Sequence, residues 1–542
     1  MHIPADDNEH GGGKHAHPRR RARAPWWRSG EPLVAMALSA LIVSYGVVAY
    51  ADDPEAAPSD DITASVGKID WRQCPDTTDP IECGTLEVPL DWANPGGEKI
   101  HIGLARHKAT DPAKRIGTAL MDPGGPGTSG VTDMHMRHGK MFTDAVQERF
   151  DVVTYDPRGV GTSSRIICDE KLMAAAEALK TPQSQADFDE LVATKKKLSE
   201  DCRRRTGALY DHTDTRHTVR DIEAIRIALG EDKITQVGYS YGSIATQLYA
   251  ETYPQHVRAI VSDGIMDHHR VGVWEWMDGS VGALEENFGQ FAAWCDKTPD
   301  CALYGRDARK TYTAVRDRAR SGTLTDPDTG RKVDFNALTR DAFGANFPDR
   351  WRQLAQRIKA LSDGGKSTTA PSAKNEGPVA GVAEPNLLPY EVWWCADFRY
   401  QVGNYAEWSS MVAKLADKYP TMQWSPYASS GLDCVGYQGE TTYPQRRPKT
   451  RDAPPMVMVG NVHDFATVYQ WAQGAAKDTG ATLVTYEGYG HTAYPGFGPG
   501  GPSACVNRAV DDYLINLRLP ARGTSCAATD NPDAGSGKPV SD

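Results

Sequence analysis

Ser240 stands between two glycines in "GYSYG", the spacing G-x-S-x-G. The strand-like run "KITQVGYS" precedes it and the helix-like run "YGSIATQLYA" follows it. A serine on such a strand-to-helix turn can be presented as a nucleophile, with small residues at Gly238 and Gly242 letting strand and helix close around it. The helix start adds backbone donors and the positive end of the helix dipole. The same serine could also be a plain N-cap. What decides between the two is whether the chain also supplies a base, an acid and oxyanion donors.

A hydroxyl is a weak nucleophile until a base takes its proton. His491 in "YEGYGHTAYP" is the expected base, because it follows a late strand on a loop that can reach over a sheet edge. His463 also lies near a strand end, whereas His268 and His269 fit structural or surface roles. The base needs an orienting carboxylate. Asp464 in "VGNVHDFAT" ends the strand before the one leading to His491, and Asp263 in "IVSDG" is the runner-up. The order Ser240, Asp464, His491 is that of the α/β-hydrolases. Oxyanion donors are expected from the backbone N–H of Tyr241 and from the loop "DPGGPG", with Gly125 first and Gly124 second. None of this chemistry requires a metal or an organic cofactor.

These residues need a scaffold. "RIGTALMDPGGPGTSG", "FDVVTYDPRGVGTSS", "KITQVGYS", "VRAIVSDGIMD", "PPMVMVGNVHDFAT" and "ATLVTYEGYGHT" each end a strand-like run at a turn. "VRDIEAIRIALGE" places Val219, Ile222, Ile225 and Leu229 at helical spacing. Alternation of this kind predicts an α/β fold, with a mostly parallel sheet covered by helices on both faces. An earlier pair of strands surrounds the turn "NPGG". From residue 268 the text becomes helical and rich in charge and tryptophan, which predicts an inserted helical lid.

The expected organisation is a signal peptide or signal anchor at 1–51, a linker at 52–66 and a first core segment at 67–267. A lid with a flexible connector follows at 268–386, then a second core segment at 387–528 and a disordered tail at 529–542. The signal reading rests on the basic "RRRARAPWWR", the apolar Leu33–Ala49 and an A-x-A site at Ala49–Ala51. Cleavage there gives a secreted protein; retention gives one anchored by residues 33–49.

The formal charge is −11; residues 1–51 carry six Lys/Arg and four Asp/Glu, a net +2, which leaves −13 on the body. So acidic a body argues against nucleic acid as a partner. All ten cysteines lie beyond the signal, and no C-x-x-C pair occurs. An even count in an exported chain predicts disulfides, expected between sequence neighbours: Cys74–Cys83, Cys168–Cys202, Cys295–Cys301, Cys395–Cys434 and Cys505–Cys526.

Taken together, the chain resembles secreted tripeptidyl aminopeptidases, in the proline-iminopeptidase-like branch of the α/β-hydrolase family. The resemblance is carried by "MDPGGPGTSG", "DVVTYDPRGVGTSS", "IEAIRIALGEDKITQVGYSYGS", "VRAIVSDGIMD", "WWCADF" and the stretch from "EGYGHT" to "LPARGTSC", in that order, and spans Trp71 to Cys526. The family usually has Asn where Asp122 stands, and Thr-Pro where this chain has Thr467-Val468. The resemblance implies a serine exopeptidase that removes short peptides, tripeptides in particular, from free N-termini through an acyl-enzyme on Ser240, acting as a monomer on peptide substrates. The same triad also serves an esterase, amidase or acyltransferase acting on a small metabolite. An aminopeptidase must bind a free α-ammonium, for which the candidate carboxylates are Glu275, Glu285, Glu286 and Asp397. Trp274, Trp276, Trp393 and Trp394 could line an apolar pocket or pack the lid.

Overall fold

The computed structural model describes residues 62, 66–75, 77–365, 389–498 and 500–529. The expected signal segment, most of the linker, the connector at 366–388 and the tail from residue 530 lie outside the described residues. The elements below belong to one unit, Ala57–Asp542.

Ten strands form one sheet: β1 (Arg72–Gln73), β2 (Ile81–Pro89), β3 (Lys99–His107), β4 (Gly117–Asp122), β5 (Phe150–Tyr155), β6 (Ile234–Tyr239), β7 (Val257–Asp263), β8 (Val457–His463), β9 (Thr482–Tyr489) and β10 (Ser525–Cys526). Their spatial order is β1-β2-β3-β5-β4-β6-β7-β8-β9-β10. The pairs β1–β2, β2–β3 and β3–β5 are antiparallel; every pair from β5 to β10 is parallel. The strand-to-helix alternation legible in the sequence thus becomes a mostly parallel sheet.

Both faces of the central strands are buried, because successive side chains point to opposite sides. Leu120 and Ile260 pack with Val219, Ile222 and Ile225 of the helix Thr215–Leu229 and with the helix Gly242–Thr252. Their neighbours Ala119, Met121, Ala259 and Val261 pack on the other face, with Val131 and Met134 and with Val506 and Val510 of the helix Ala504–Asn516. The chain runs from β4 outward to β5 and then back across to β6, so the order reverses between β4 and β6. Ligands of open parallel sheets bind outside the strand carboxyl ends at such a switch point. Here Asp122 pairs in register with Gly238, which sets the "DPGGPG" loop beside the Ser240 turn.

Between β7 and β8 the chain forms the helices Val273–Lys297, Ala308–Arg320, Phe335–Ala342, Trp351–Asp363, Glu391–Asp397 and Tyr405–Lys418. Core strand resumes at Val457, within the expected run "PPMVMVGNVHDFAT", after the helices Glu391–Asp397 and Tyr405–Lys418. The helix Gln185–Thr206 has no counterpart among the sequence-based expectations. Five disulfides join the cysteines as sequence neighbours, in the pairing expected. Among the described residues, no helix is long and apolar enough to cross a membrane.

Candidate active site

Ser240 follows β6 directly and has a φ of 55°, in the left-handed region. A non-glycine residue is held there only when its surroundings over-determine it, at a cost of about 1–3 kcal/mol. Three contacts do so. Ser240 N–H donates to Asp263 O at 2.9 Å. Its carbonyl accepts from Ser243 Oγ at 2.6 Å, and Ser243 Oγ accepts in turn from Met266 N–H at 2.9 Å. Gly242 lies so close to the end of β4 that a Cβ on it would meet Asp122 O and Pro123 O at 2.6 Å. The glycine is needed for contact between the two loops.

The loop after β4 lies against this turn. A Cβ on Gly124 would fall 2.9 Å from Tyr239 O, 3.0 Å from Ser240 Cβ and 3.6 Å from Ser240 Oγ. Gly125 has a φ of 110° and turns the chain back beneath it. The loop is anchored behind by Asp156, which accepts from Ser129 Oγ at 2.6 Å, Val131 N–H at 3.1 Å and Thr162 N–H at 2.6 Å. On the other side, Tyr241 opens the helix Gly242–Thr252, where N–H groups have no partner within the helix. A small cavity beside the loop is lined by Gly124, Tyr155, Thr215, Tyr241, Gly242 and Trp393.

His491 follows β9. Its imidazole packs on the chain just after β7: a Cβ on Gly264 would meet His491 Cε1 at 2.7 Å. Nδ1 lies 2.9 Å and 3.2 Å from the two carboxylate oxygens of Asp464. Nε2 is buried and makes no hydrogen bond. Asp464 is only 2% exposed. Its Oδ1 accepts from Ala466 and Thr467 N–H at 2.8 and 2.9 Å, and its Oδ2 from Thr467 Oγ1 at 2.9 Å. The carboxylate is therefore fixed in the plane that meets the imidazole. Burial lowers the His491 pKa, but the charge and hydrogen bond of Asp464, with the charge of Asp263, outweigh it and leave the pKa raised above 6.5.

Asp263, the alternative acid, makes different contacts. Its Oδ2 accepts from Ala493 and Tyr494 N–H at 2.8 and 2.7 Å. It therefore holds the loop that carries His491, while its own carbonyl holds Ser240. Burial pushes its carboxyl up to about 7.

The four candidate ammonium ligands separate. Asp397 is fully buried: it accepts from Thr215 N–H at 3.0 Å, from Thr215 Oγ1 and from Tyr241 Oη at 2.5 Å. It positions Tyr241 and does not face an open pocket, which corrects the sequence-based expectation. Glu275 closes the N-terminus of its own helix by accepting from Gly272 N–H at 3.2 Å. Glu285 accepts from Met422 N–H at 2.7 Å and lies 3.4 Å from Arg309. Glu286 is exposed, and its Oε1 is 3.5 Å from Nδ1 of His463, the neighbour of Asp464. Trp276, Trp393 and Trp394 are buried. Trp276 stacks on Trp471 and Tyr427 and donates to Tyr427 O at 2.7 Å, so these rings pack the insertion onto the core.

Sequence reasoning missed two features. Thr467 bonds Asp464 through both its N–H and its hydroxyl, and the hydroxyl lies 3.3 Å from His491 Nδ1. Phe343, Phe347, Tyr427 and Phe465 form an aromatic wall, with Phe465 6.3 Å from the His491 ring. The first is signalled by the family's threonine after the acid. The second comes from three separate segments and has no local signature.

Residues 120–495 match the family described by the alpha/beta hydrolase fold. The chain is 28% identical over 477 residues to the tripeptidyl aminopeptidase of Streptomyces lividans, covering 86% of this chain and 87% of that protein. It is 26% identical over 509 residues to serine protease Hip1 of Mycobacterium tuberculosis H37Rv, covering 84% and 91%. It is 28% identical over 499 residues to carboxylesterase B of Mycobacterium tuberculosis CDC 1551, covering 88% and 93%.

Proposed function

The chain belongs to the α/β-hydrolase fold family, and from that premise we propose that this serine hydrolase is a secreted exopeptidase. On this reading it removes short peptides, tripeptides above all, from free N-termini. The observation that carries the mechanism is His491 bonded to the buried Asp464, together with a serine held at positive φ. The relatives named tripeptidyl aminopeptidase and serine protease support peptide substrates. The five disulfides fit an extracellular or envelope location.

In acylation, Ser240 Oγ attacks the scissile carbonyl while His491 Nε2 takes its proton. Asp464 keeps the other imidazole proton on Nδ1 and stabilises the imidazolium. The N–H groups of Tyr241 and Gly125, with Gly124 as the alternative, receive the developing oxyanion. His491 then returns the proton to the leaving amine. Water repeats the sequence on the acyl-enzyme and releases the N-terminal fragment.

Exopeptidase action requires an anchor for the α-ammonium, and Glu286 is the candidate whose carboxylate is not already engaged by backbone donors. Beside it, burial lowers the pKa of His463, against the charge of Glu286, which raises it. A second reading, a serine esterase or amidase on a small metabolite, is favoured by the relative named carboxylesterase B.

The test is hydrolysis of chromogenic mono-, di- and tripeptide anilides, free and N-acetylated, with a simple acyl ester alongside and Ser240→Ala as the blank. Cleavage of free tripeptides but not acetylated ones, with a raised KM in Glu286→Gln, supports the exopeptidase. Turnover of the ester alone refutes it in favour of the second reading.

A further inference from the structure

Outside the hydrolase site, three side chains from separate segments converge at the start of the helix Thr215–Leu229. His217 lies in its first turn, His212 precedes it, and Asp91 comes from the loop after β2. His212 Nδ1 is 3.2 Å from His217 Nε2. Asp91 Oδ1 is 3.9 Å from the same Nε2, and all three ligand atoms lie within 4.8 Å of one another. Two zinc–nitrogen bonds of about 2.0–2.1 Å at a tetrahedral angle place their nitrogens about 3.3 Å apart. The histidine pair already has that separation; Asp91, whose Oδ1 also accepts from Ala93 N–H at 2.8 Å, would close the remainder by a rotation that exchanges that bond for the metal.

The surroundings also fit a metal site. The other nitrogen of His217, Nδ1, is 3.0 Å from Asp214 Oδ2. That bond keeps the proton on Nδ1 and leaves Nε2 unprotonated, facing His212 Nδ1, the carboxylate–histidine arrangement that orients metal ligands. Asp214 is buried, caps the helix by accepting from His217 N–H at 3.1 Å, and accepts from Thr442 Oγ1 at 2.6 Å. The imidazoles meet edge-on, 5.0 Å between centroids at 70°, which allows both nitrogens to aim at one point. Of the neighbouring cations, Arg158 is paired with Asp221 through two bonds of 2.7 Å, and Arg216 lies 3.9 Å from Asp214. Two comparable clusters fail the same examination. In Cys74, Cys83 and His135 the thiols are joined as a disulfide. In Asp267, His269 and Asp478 the carboxylates are bound by Arg270 and Arg447.

We propose that His212, His217 and Asp91 bind one zinc-class divalent ion, with water as the fourth ligand. Two imidazoles and one carboxylate suit zinc and its transition-metal neighbours, not calcium or magnesium. The ion takes no part in hydrolysis. It clamps the loop after β2 to the segment 212–217, in which Thr215 holds Asp397 and, through it, Tyr241.

The test titrates Zn²⁺ into EDTA-stripped, tag-free full-length protein by calorimetry, with a thermal melt at each endpoint. His212→Ala is run alongside because it keeps the Asp214–His217 bond and the helix cap. Zinc taken by His2, His10, His15 and His17 near the N-terminus is common to both proteins. Wild type should bind one more zinc per chain than His212→Ala, and zinc should raise the melting midpoint of wild type alone. Asp91→Asn should bind at least tenfold more weakly than wild type. Equal stoichiometry and equal melting shifts in wild type and His212→Ala overturn the proposal.

Discussion

Replacing Asp464 by Asn tests the acid assignment most sharply, because the hydrogen bonds dictate how the amide must sit. Asp464 Oδ1 accepts two backbone N–H groups, from Ala466 and Thr467. Only the carbonyl oxygen of an asparagine can take that place. The NH₂ is then forced into the position of Oδ2, 2.9 Å from His491 Nδ1. Nδ1 must become an acceptor, the proton moves to Nε2, and the imidazole can no longer take the Ser240 proton. A wrong tautomer in an otherwise intact triad costs about 10⁴ in kcat, or about 5.4 kcal/mol at 1.36 kcal/mol per decade. Asp263→Asn is the matched control. Its carbonyl can keep both bonds to Ala493 and Tyr494, and the NH₂ falls where Oδ1 has no partner. The loop should stay in place, with kcat within about tenfold of wild type at pH 8. The assay is kcat on the best anilide, normalised by active-site titration, with melting midpoints to verify folding. If Asp263→Asn loses the four decades and Asp464→Asn keeps its rate, the assignment of the acid is wrong.

Four further outcomes are expected. Gly124→Ala sets a methyl 2.9 Å from Tyr239 O and 3.0 Å from Ser240 Cβ; the loop must withdraw, and kcat should fall by about 10²–10³ with KM little changed. Because the base works only when neutral and the His491 pKa is raised, kcat/KM should fall with decreasing pH along a limb whose midpoint lies above 6.5. In Asp263→Asn that midpoint should move down, since one of the charges raising it is gone, as a pH–rate profile will read. Arg158→Ala should lose about 3–5 kcal/mol in urea unfolding, because Asp221, 1% exposed, then keeps a buried charge without its partner.

The legible parts of this protein are those in which short sequence windows dictate structure. Strand ends and glycine turns marked Ser240, the loop at Gly124 and Gly125, and the strand exits carrying Asp464 and His491. The backbone sets where these side chains lie, so chain order and turn chemistry suffice to place them. The ammonium candidates are different. Glu275, Glu285 and Glu286 look alike on a helix, and their differences come from distant partners: Met422 and Arg309 for Glu285, His463 for Glu286. Asp397 was misplaced for the same reason, since its partners Thr215 and Tyr241 are far from it in sequence.

The buried acids around the site share an electrostatic logic. Asp122 begins the loop after β4 and accepts from Tyr155 Oη, Asp263 accepts from the loop that carries His491, and Asp397 accepts from Tyr241 Oη. Among the described residues, no cation bonds any of the three. Burial pushes them up to about 8, about 7 and about 7. An ionised carboxylate near the oxyanion would oppose the charge that develops there, whereas a protonated one does not. Asp122 illustrates the point. It stands where the related enzymes usually have Asn, and a neutral carboxylic acid, like an amide, offers both a donor and an acceptor. The tyrosine hydroxyl of Tyr155, 3.0 Å away, can bond either one. Asp464 differs in having four donors aimed at it, one of them the imidazole. Both of its oxygens are therefore held, and the carboxylate stays aligned with the imidazole.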